Sequence, residues 1–264
     1  MADNQSMSSS PTAIDSSTLL AAFNAELQPE RFKDYGPNGL QVEGKPRIGK
    51  IVSGVTASRA LIDAAIEVGA DALFVHHGLF WRGQDGTVTG WMKQRLQRLL
   101  AHDINLFAYH LPLDAHPTLG NNAQLGLRLG LVAEGRFGEQ ELGFIGRPAD
   151  GVPLADAVAL ALRLETVLNR PVTQVGQAQK TIESIAWCSG GAQGYFEAAI
   201  AAGAQAFITG EISEPQAHLA RECGVLFYAC GHHATERYGA PALAAHVAAS
   251  LGVAHQFIDI DNPA

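Results

Sequence analysis

Residues 48–78 and 182–212 of this chain align without a gap at an offset of 134 residues, and this internal repeat constrains the fold more than any other feature. Ile48 matches Ile182, Ile51 matches Ile185, Ala64, Ala65 and Ile66 match Ala198, Ala199 and Ile200, and Gly69 and Ala70 match Gly203 and Ala204. Each copy reads as a short apolar run, a Gly/Ser/Thr turn, a stretch of helical spacing ending at Gly69 or Gly203, and a second apolar run. That order predicts a βαβ unit. The glycines fall where a helix end needs left-handed backbone. The uninterrupted apolar strands over 72–75 and 206–208 suit a parallel sheet covered on both faces.

A helix follows in each half, over 92–102 and 215–223, and leads to a third apolar strand over 105–109 and 225–229. A helical stretch over 122–130 closes the first half, and a strand over 142–148 opens the second. Residues 153–168 begin with Pro near the first helical position and keep an apolar stripe of helical period. The expected fold class is therefore α/β: two similar halves related by the repeat, with mainly parallel sheets flanked by helices. The expected division is a disordered tail over 1–17, a first half over 18–130 and a second half over 131–264.

The tail has neither a basic stretch nor an apolar core of the kind that marks a secretory signal. No apolar run approaches the ~20 residues that span a bilayer. The most apolar stretch, 241–253, is broken by His246 and reads as a packed helix, so no membrane partner is expected. Lys and Arg number 18 against 26 Asp and Glu, a net charge of −8 that disfavours binding to a polyanion; nucleic acid is not an expected partner. Lys93, Arg95 and Arg98 read as a solvated helix face. Cys188, Cys223 and Cys230 are odd in number and lack C-x-x-C spacing, which argues against a disulfide framework or a thiolate zinc site and fits a reducing cytoplasm.

In parallel sheets, ligands gather beyond the carboxyl ends of the strands. Four loops lie there: His76-His77-Gly78, the stretch from His110 to His116 with Asp114, Thr209-Gly210-Glu211, and the stretch from Gly231 to Glu236. His76 and His77 would point to opposite faces of a regular strand, so a turn in the backbone is expected to bring both rings to one site. His232 and Glu236, four apart, share a face if a helical turn begins there. Glu236 carries two oxygens and can bridge two ions. His110 reads as a partner to the ligands or a proton-transfer group, and Glu211 as a residue that orients water or substrate, or else a surface acid. Residues 189–194 read as a tight turn. A shell of imidazoles and carboxylates favours Zn, Fe, Mn, Co or Ni over Ca or Mg.

The motifs HHGLFW, HLPLDAH with GNN, GEISE with YACGHHATERYG, and YGPNGLQVEG closely resemble those of the Nif-three-like dinuclear-metal family, many of whose members carry the label GTP cyclohydrolase 1 type 2 homologue. The resemblance covers about 19–260 and corresponds to the short form, without an extra inserted domain. It implies a centre of two divalent transition-metal ions per chain held by His76, His77, Asp114, His232 and Glu236, with none of the five replaced. It also implies a ring-shaped homohexamer with its sites facing an internal cavity. Two function classes follow: a metal-dependent hydrolase acting on a small molecule such as a nucleotide, with His110 or Glu211 moving protons, and a non-enzymatic metal-binding or scaffold protein using the same ligands.

Overall fold

The computed structural model describes residues 13–177 and 181–264. The chain first forms β1 (Ile14–Asp15), α1 (Ser16–Leu27), β2 (Gly39–Val42), β3 (Arg47–Ile48), β4 (Lys50–Thr56), α2 (Arg59–Glu67) and β5 (Ala72–His77). It continues through α3 (Gly90–Ala101), β6 (Asn105–Ala108), α4 (Leu111–Ala115) and α5 (Asn121–Arg128). Then come β7 (Leu131–Phe137), β8 (Gly143–Pro148), α6 (Ala157–Leu168), β9 (Thr173–Val175), β10 (Ile185–Trp187), α7 (Phe196–Ala201) and β11 (Ala206–Thr209). The last elements are α8 (Glu214–Cys223), β12 (Leu226–Ala229), α9 (His232–Glu236), α10 (Gly239–Leu251) and β13 (Ala254–Phe257).

Both copies of the repeat fold as strand, helix and parallel strand. β4 pairs with β5 through Ile51↔Ala72 and Val52↔Leu73, and β10 pairs with β11 through Ile185↔Ala206 and Ala186↔Phe207. The same offset of 134 residues relates these registers residue by residue. Gly69 and Gly203 take φ of +70° and +85°, the left-handed backbone that stops each helix before its second strand. Ser58 caps α2 by accepting from the Leu61 amide.

The five-stranded sheet runs β13-β4-β5-β6-β2, parallel except for β2. Alternate residues of β5 serve opposite faces, as the two-residue period of a strand requires. Phe74 packs with Phe23 and Leu19 of α1 and Leu243 and Val247 of α10, whereas Leu73 and Val75 pack with Leu61 of α2 and Leu99 of α3. The six-stranded sheet runs β7-β8-β10-β11-β12-β9, and only its three central strands are parallel to one another. Here the expected mainly parallel arrangement gives way. β7 and β8 are joined by five residues, too short for a crossover, and pair antiparallel; β8 and β9 flank the central strands antiparallel as well.

Three further expectations change. Of the tail over 1–17, residues 1–12 lie outside the described residues, but Ile14 and Asp15 pair with Ile48 and Arg47 and Ser16 begins α1, so regular structure starts before residue 18. The helix expected from 153 starts at Ala157, because the Asp156 carboxylate caps it by accepting from the Ala159 amide while Leu154 bridges to Ile182. Finally, the segment over 131–264 does not stay together. β13 pairs parallel with β4, and α10 covers the face of the first sheet that α2 and α3 leave bare. No helix among the described residues is long and apolar enough to cross a membrane.

Asp71 ties the turn before β5 to the loop before β4. Its carboxylate accepts from Lys45 Nζ at 2.8 Å and from the amides of Gly49 at 2.9 Å and Lys50 at 3.1 Å. Burial would raise its pKa, but the Lys45 and amide hydrogen bonds prevail and hold it below the usual carboxylate value. Because the folded value is the depressed one, the stabilisation is present above the ordinary aspartate pKa and fades as pH falls through the folded value. Urea unfolding at pH 7 should show Asp71→Ala about 1–3 kcal/mol less stable, since two backbone donors lose their acceptor. The gap should narrow toward pH ~3.

Candidate metal centre

The carboxyl ends of the parallel strands bring the expected residues together. His76 and His77 both lie within β5, so no turn separates them, yet their ring centroids are 4.4 Å apart. α4 follows β6 and carries Asp114 on its single turn. α9 follows β12, and its one turn places His232 and Glu236 on a shared face as the i, i+4 spacing requires. Thr235 pins this turn: its Oγ accepts from the Gly190 amide at 2.9 Å.

Two groups of candidate ligands share Glu236. His76, Asp114 and Glu236 form one, and His77, His232 and Glu236 the other; within each, one ligand atom per residue lies within 4.8 Å of the others. His76 Nε2 lies 3.4 Å from Glu236 Oε1 and 3.6 Å from Asp114 Oδ1. Glu236 Oε2 lies 3.3 Å from His77 Nε2 and 3.1 Å from His232 Nε2. His76 is fully buried and Glu236 only 3 % exposed, and both His76 Nε2 and Glu236 Oε2 lack a hydrogen-bond partner among the described residues. Buried polar atoms without partners are costly, and nitrogens and oxygens gathered at these spacings fit a cation among them. The donor set fits as well, since imidazole and carboxylate suit first-row transition metals.

The other ring nitrogens are held. His76 Nδ1 meets the Tyr109 carbonyl at 3.2 Å, His77 Nδ1 meets Thr56 Oγ1 at 3.1 Å, and His232 Nδ1 meets Glu211 Oε1 at 2.6 Å. Such contacts orient a ligand ring and fix its tautomer. Asn121 Nδ2 donates to Asp114 Oδ1 at 2.9 Å.

Burial opposes a charged His76, but the Asp114 and Glu236 carboxylates overcome it and raise its pKa to about 9; the adjoining Glu236 carboxylate, with Glu211 behind it, raises His232 to about 9 despite burial. Burial drives His77 down to about 3, with its neighbouring histidines adding to the fall. Burial raises Asp114, and the nearby Glu236 charge raises it further. Glu236 itself is held well below the usual carboxylate value by the histidines around it, against the effect of burial. His76 and His232 thus favour holding protons that a bound metal ion would displace.

Glu211 and His110 both border the cluster. Glu211 is engaged with His232, and its other oxygen accepts from Gln193 Nε2 at 3.3 Å. His110 caps α4 and shares a group of ring nitrogens with His76 and His77. Two motif histidines turn away: His233 meets Asp259 at 2.9 Å, and His116 lies 3.6 Å from Glu26. The turn over 189–194 closes on the site, since Gly190 takes φ of +66° and a Cβ there would overlap Glu236 Oε1. Sequence reasoning assigned no role to Asp34, Asn38 or Asn121. Asn38 and Asn121 stand inside the YGPNGLQVEG and GNN motifs and Asp34 one residue before the first, which is the signal that could have found them.

The centre opens on the side of His77 and His232, whose side chains are 17 % and 29 % exposed. A cavity of about 240 Å³ lined by Val55, Thr56, His77, His232 and His233 lies there. A larger cavity, about 830 Å³, lies beside β9 and α8 and holds none of the candidate ligands.

Residues 14–263 match the family model Duf34/NIF3 (NGG1p interacting factor 3). A protein of Neisseria meningitidis serogroup A named GTP cyclohydrolase 1 type 2 homolog is 56 % identical over 246 residues, 93 % of this chain and 98 % of that one. A Pseudomonas aeruginosa protein of the same name is 49 % identical over 96 % of this chain and 100 % of its own. Among solved structures, the protein ybgI, described as of unknown function, superposes with a TM-score of 0.91 at 46 % identity over 95 % of this chain and 100 % of that chain. A Thermus thermophilus protein does so with a TM-score of 0.86 at 34 % identity over 95 % and 100 %.

Proposed function

Since the chain belongs to the Duf34/NIF3 family, we propose that it holds two divalent transition-metal ions and uses them as a hydrolase of a small, nucleotide-like molecule. The observation that carries this reading is the sharing of Glu236 between two candidate ligand groups, with its two oxygens facing different imidazoles. His76 and Asp114 would hold one ion and His77 and His232 the other. When bound, such a pair supplies a water made acidic enough to give hydroxide at neutral pH and a clamp on developing negative charge. The chain's own groups do the rest. Glu211 orients His232 through Nδ1, Thr56 and the Tyr109 carbonyl orient His77 and His76, and His110 keeps a nitrogen directed at the centre. The wall of the first sheet excludes water from the His76 side.

A metal-binding role without catalysis is the second reading, favoured by the size of the open cavity. About 240 Å³ falls below the ~300–1,000 Å³ of usual small-molecule sites. Metal analysis after reconstitution with Zn, Mn, Fe, Co or Ni, followed by product analysis with GTP and other nucleotides, separates the two. Metal uptake with turnover supports the hydrolase, and uptake without turnover of any nucleotide supports the second reading. The buried, unpaired Cys188 and Cys230 fit a reducing cytoplasm.

The assembly we propose is the closed homohexamer that the family resemblance implies. Val158 and Leu162, one turn apart on α6, are 60 % and 58 % exposed, and Val152 is 61 % exposed, an apolar surface suited to contact between copies. Light scattering should give about 167 kDa (6 × 27.9 kDa), unchanged after chelation because all the proposed ligands come from one chain. A monomer at micromolar concentration would refute it.

A further inference from the structure

The carboxylate of Asp34 receives four donors. Its Oδ1 accepts from the Tyr35 amide at 2.6 Å and faces His110 Nδ1 at 2.7 Å, while its Oδ2 accepts from Asn38 Nδ2 at 2.9 Å and the Leu111 amide at 2.9 Å. Its side chain is 3 % exposed. Only an ionised carboxylate offers acceptors on both oxygens for such a set. His110 Nδ1 must therefore carry a hydrogen, since a bare nitrogen there would face the oxygen lone pair to lone pair. In neutral His110 this leaves Nε2 unprotonated.

That nitrogen faces a gathering of others like it. The His110 ring lies 5.0 Å from His76 and 5.8 Å from His77, centroid to centroid, with Trp81 edge-on at 5.0 Å. His76, His77 and His110 each offer a ring nitrogen within 4.8 Å of the other two. Nδ1 is engaged in all three, by the Tyr109 carbonyl, Thr56 Oγ1 and Asp34 respectively, which leaves Nε2 as the converging atom. The Asn38 side chain fixes the backbone beneath, accepting from the His110 amide at 2.7 Å.

We infer that His110 is a sixth metal ligand, donating through Nε2, and that Asp34 is the positioning residue that holds it in the donating tautomer. The arrangement parallels Glu211 behind His232, so each sheet contributes one imidazole backed by a carboxylate. The inference rests on the metal-centre reading and adds a ligand outside the five that the sequence motifs pointed to.

The test uses the full chain loaded with Co(II), read by its d–d absorption and by competition with a chromophoric chelator. His110→Ala should shift the absorption of one ion and weaken that ion about 10–100-fold, leaving the other unchanged. Asp34→Asn should act in the same direction. The double variant should be no weaker than His110→Ala, because Asp34 acts through His110. Unchanged affinity and absorption in His110→Ala would overturn the inference, and so would additive losses in the double variant. Circular dichroism checks the fold; if Asp34→Asn does not fold, His110→Ala decides alone. Failure of the wild-type chain to take up Co(II) would instead refute the metal-centre reading itself.

Discussion

Glu236→Ala should leave the purified, reconstituted protein with almost no bound metal, whereas Asp114→Ala should retain about one ion per chain. The difference follows from position. Glu236 Oε1 faces His76 and Oε2 faces both His77 and His232, so its removal strips a donor from both ligand groups. Asp114 belongs to one group only. Of the five motif ligands only two would remain at each position in Glu236→Ala, and the one carboxylate common to both groups would be gone. Elemental analysis of both variants checks this, with circular dichroism confirming the fold. Equal metal loss in the two variants would show that Glu236 is not shared between the two groups as the geometry indicates.

Gly190→Ala should be nearly as damaging although it removes no ligand. Gly190 takes φ of +66°, which costs a residue with a Cβ about 1–3 kcal/mol. The added methyl would also overlap Glu236 Oε1 and lie 3.1 Å from His232 Nε2. Relief requires moving the shared carboxylate, so both ions should weaken by about 100-fold or more, the upper end of what disturbed supporting contacts do. The neighbouring residue is the control. A Cβ at Gly191 would meet His232 Cε1 at 3.5 Å and Glu211 at 3.6 Å, ordinary contacts at an unstrained backbone, so Gly191→Ala should bind metal normally. Titration of the two variants with Zn(II) against a chelator distinguishes them. Equal affinities would mean that the turn over 189–194 does not press on the site.

The residues that can be read from sequence are those whose information is local. Apolar runs and terminating glycines recur at one offset, and the registers of β4 with β5 and β10 with β11 obey it. The third strands do not: Ala72 pairs with Asn105, but Ala206 pairs with Leu226, so the second half is 13 residues shorter between these strands. Much of the difference lies in the segment before α3, which carries Trp81 to the edge of His110. Edge strand β13 was illegible for another reason. Ala254, His255, Gln256 and Phe257 are none of them fully buried, and such a strand leaves no apolar run to find. Asp34 was missed because its role depends on His110, 76 residues away. His76, His77, Asp114, His232 and Glu236 were legible because strand ends converge in this architecture, whatever the details of the loops.

The route of the chain also fixes the order in which it can be completed on the ribosome. Every strand of the six-stranded sheet lies between Leu131 and Ala229, in one continuous stretch, so this body can close while synthesis continues. The five-stranded sheet begins earlier and finishes later. Until α10 and β13 emerge, Phe74 and Phe23 lack their cover of Leu243 and Val247, and β4 lacks a neighbour on one side. The sheet that begins nearer the N-terminus is therefore the one whose strands are complete last. His76 and His77 leave the ribosome more than 150 residues before His232, yet β5, which carries them, belongs to the sheet that closes last. A truncation before α10 would retain every candidate ligand and still lack the wall that holds two of them.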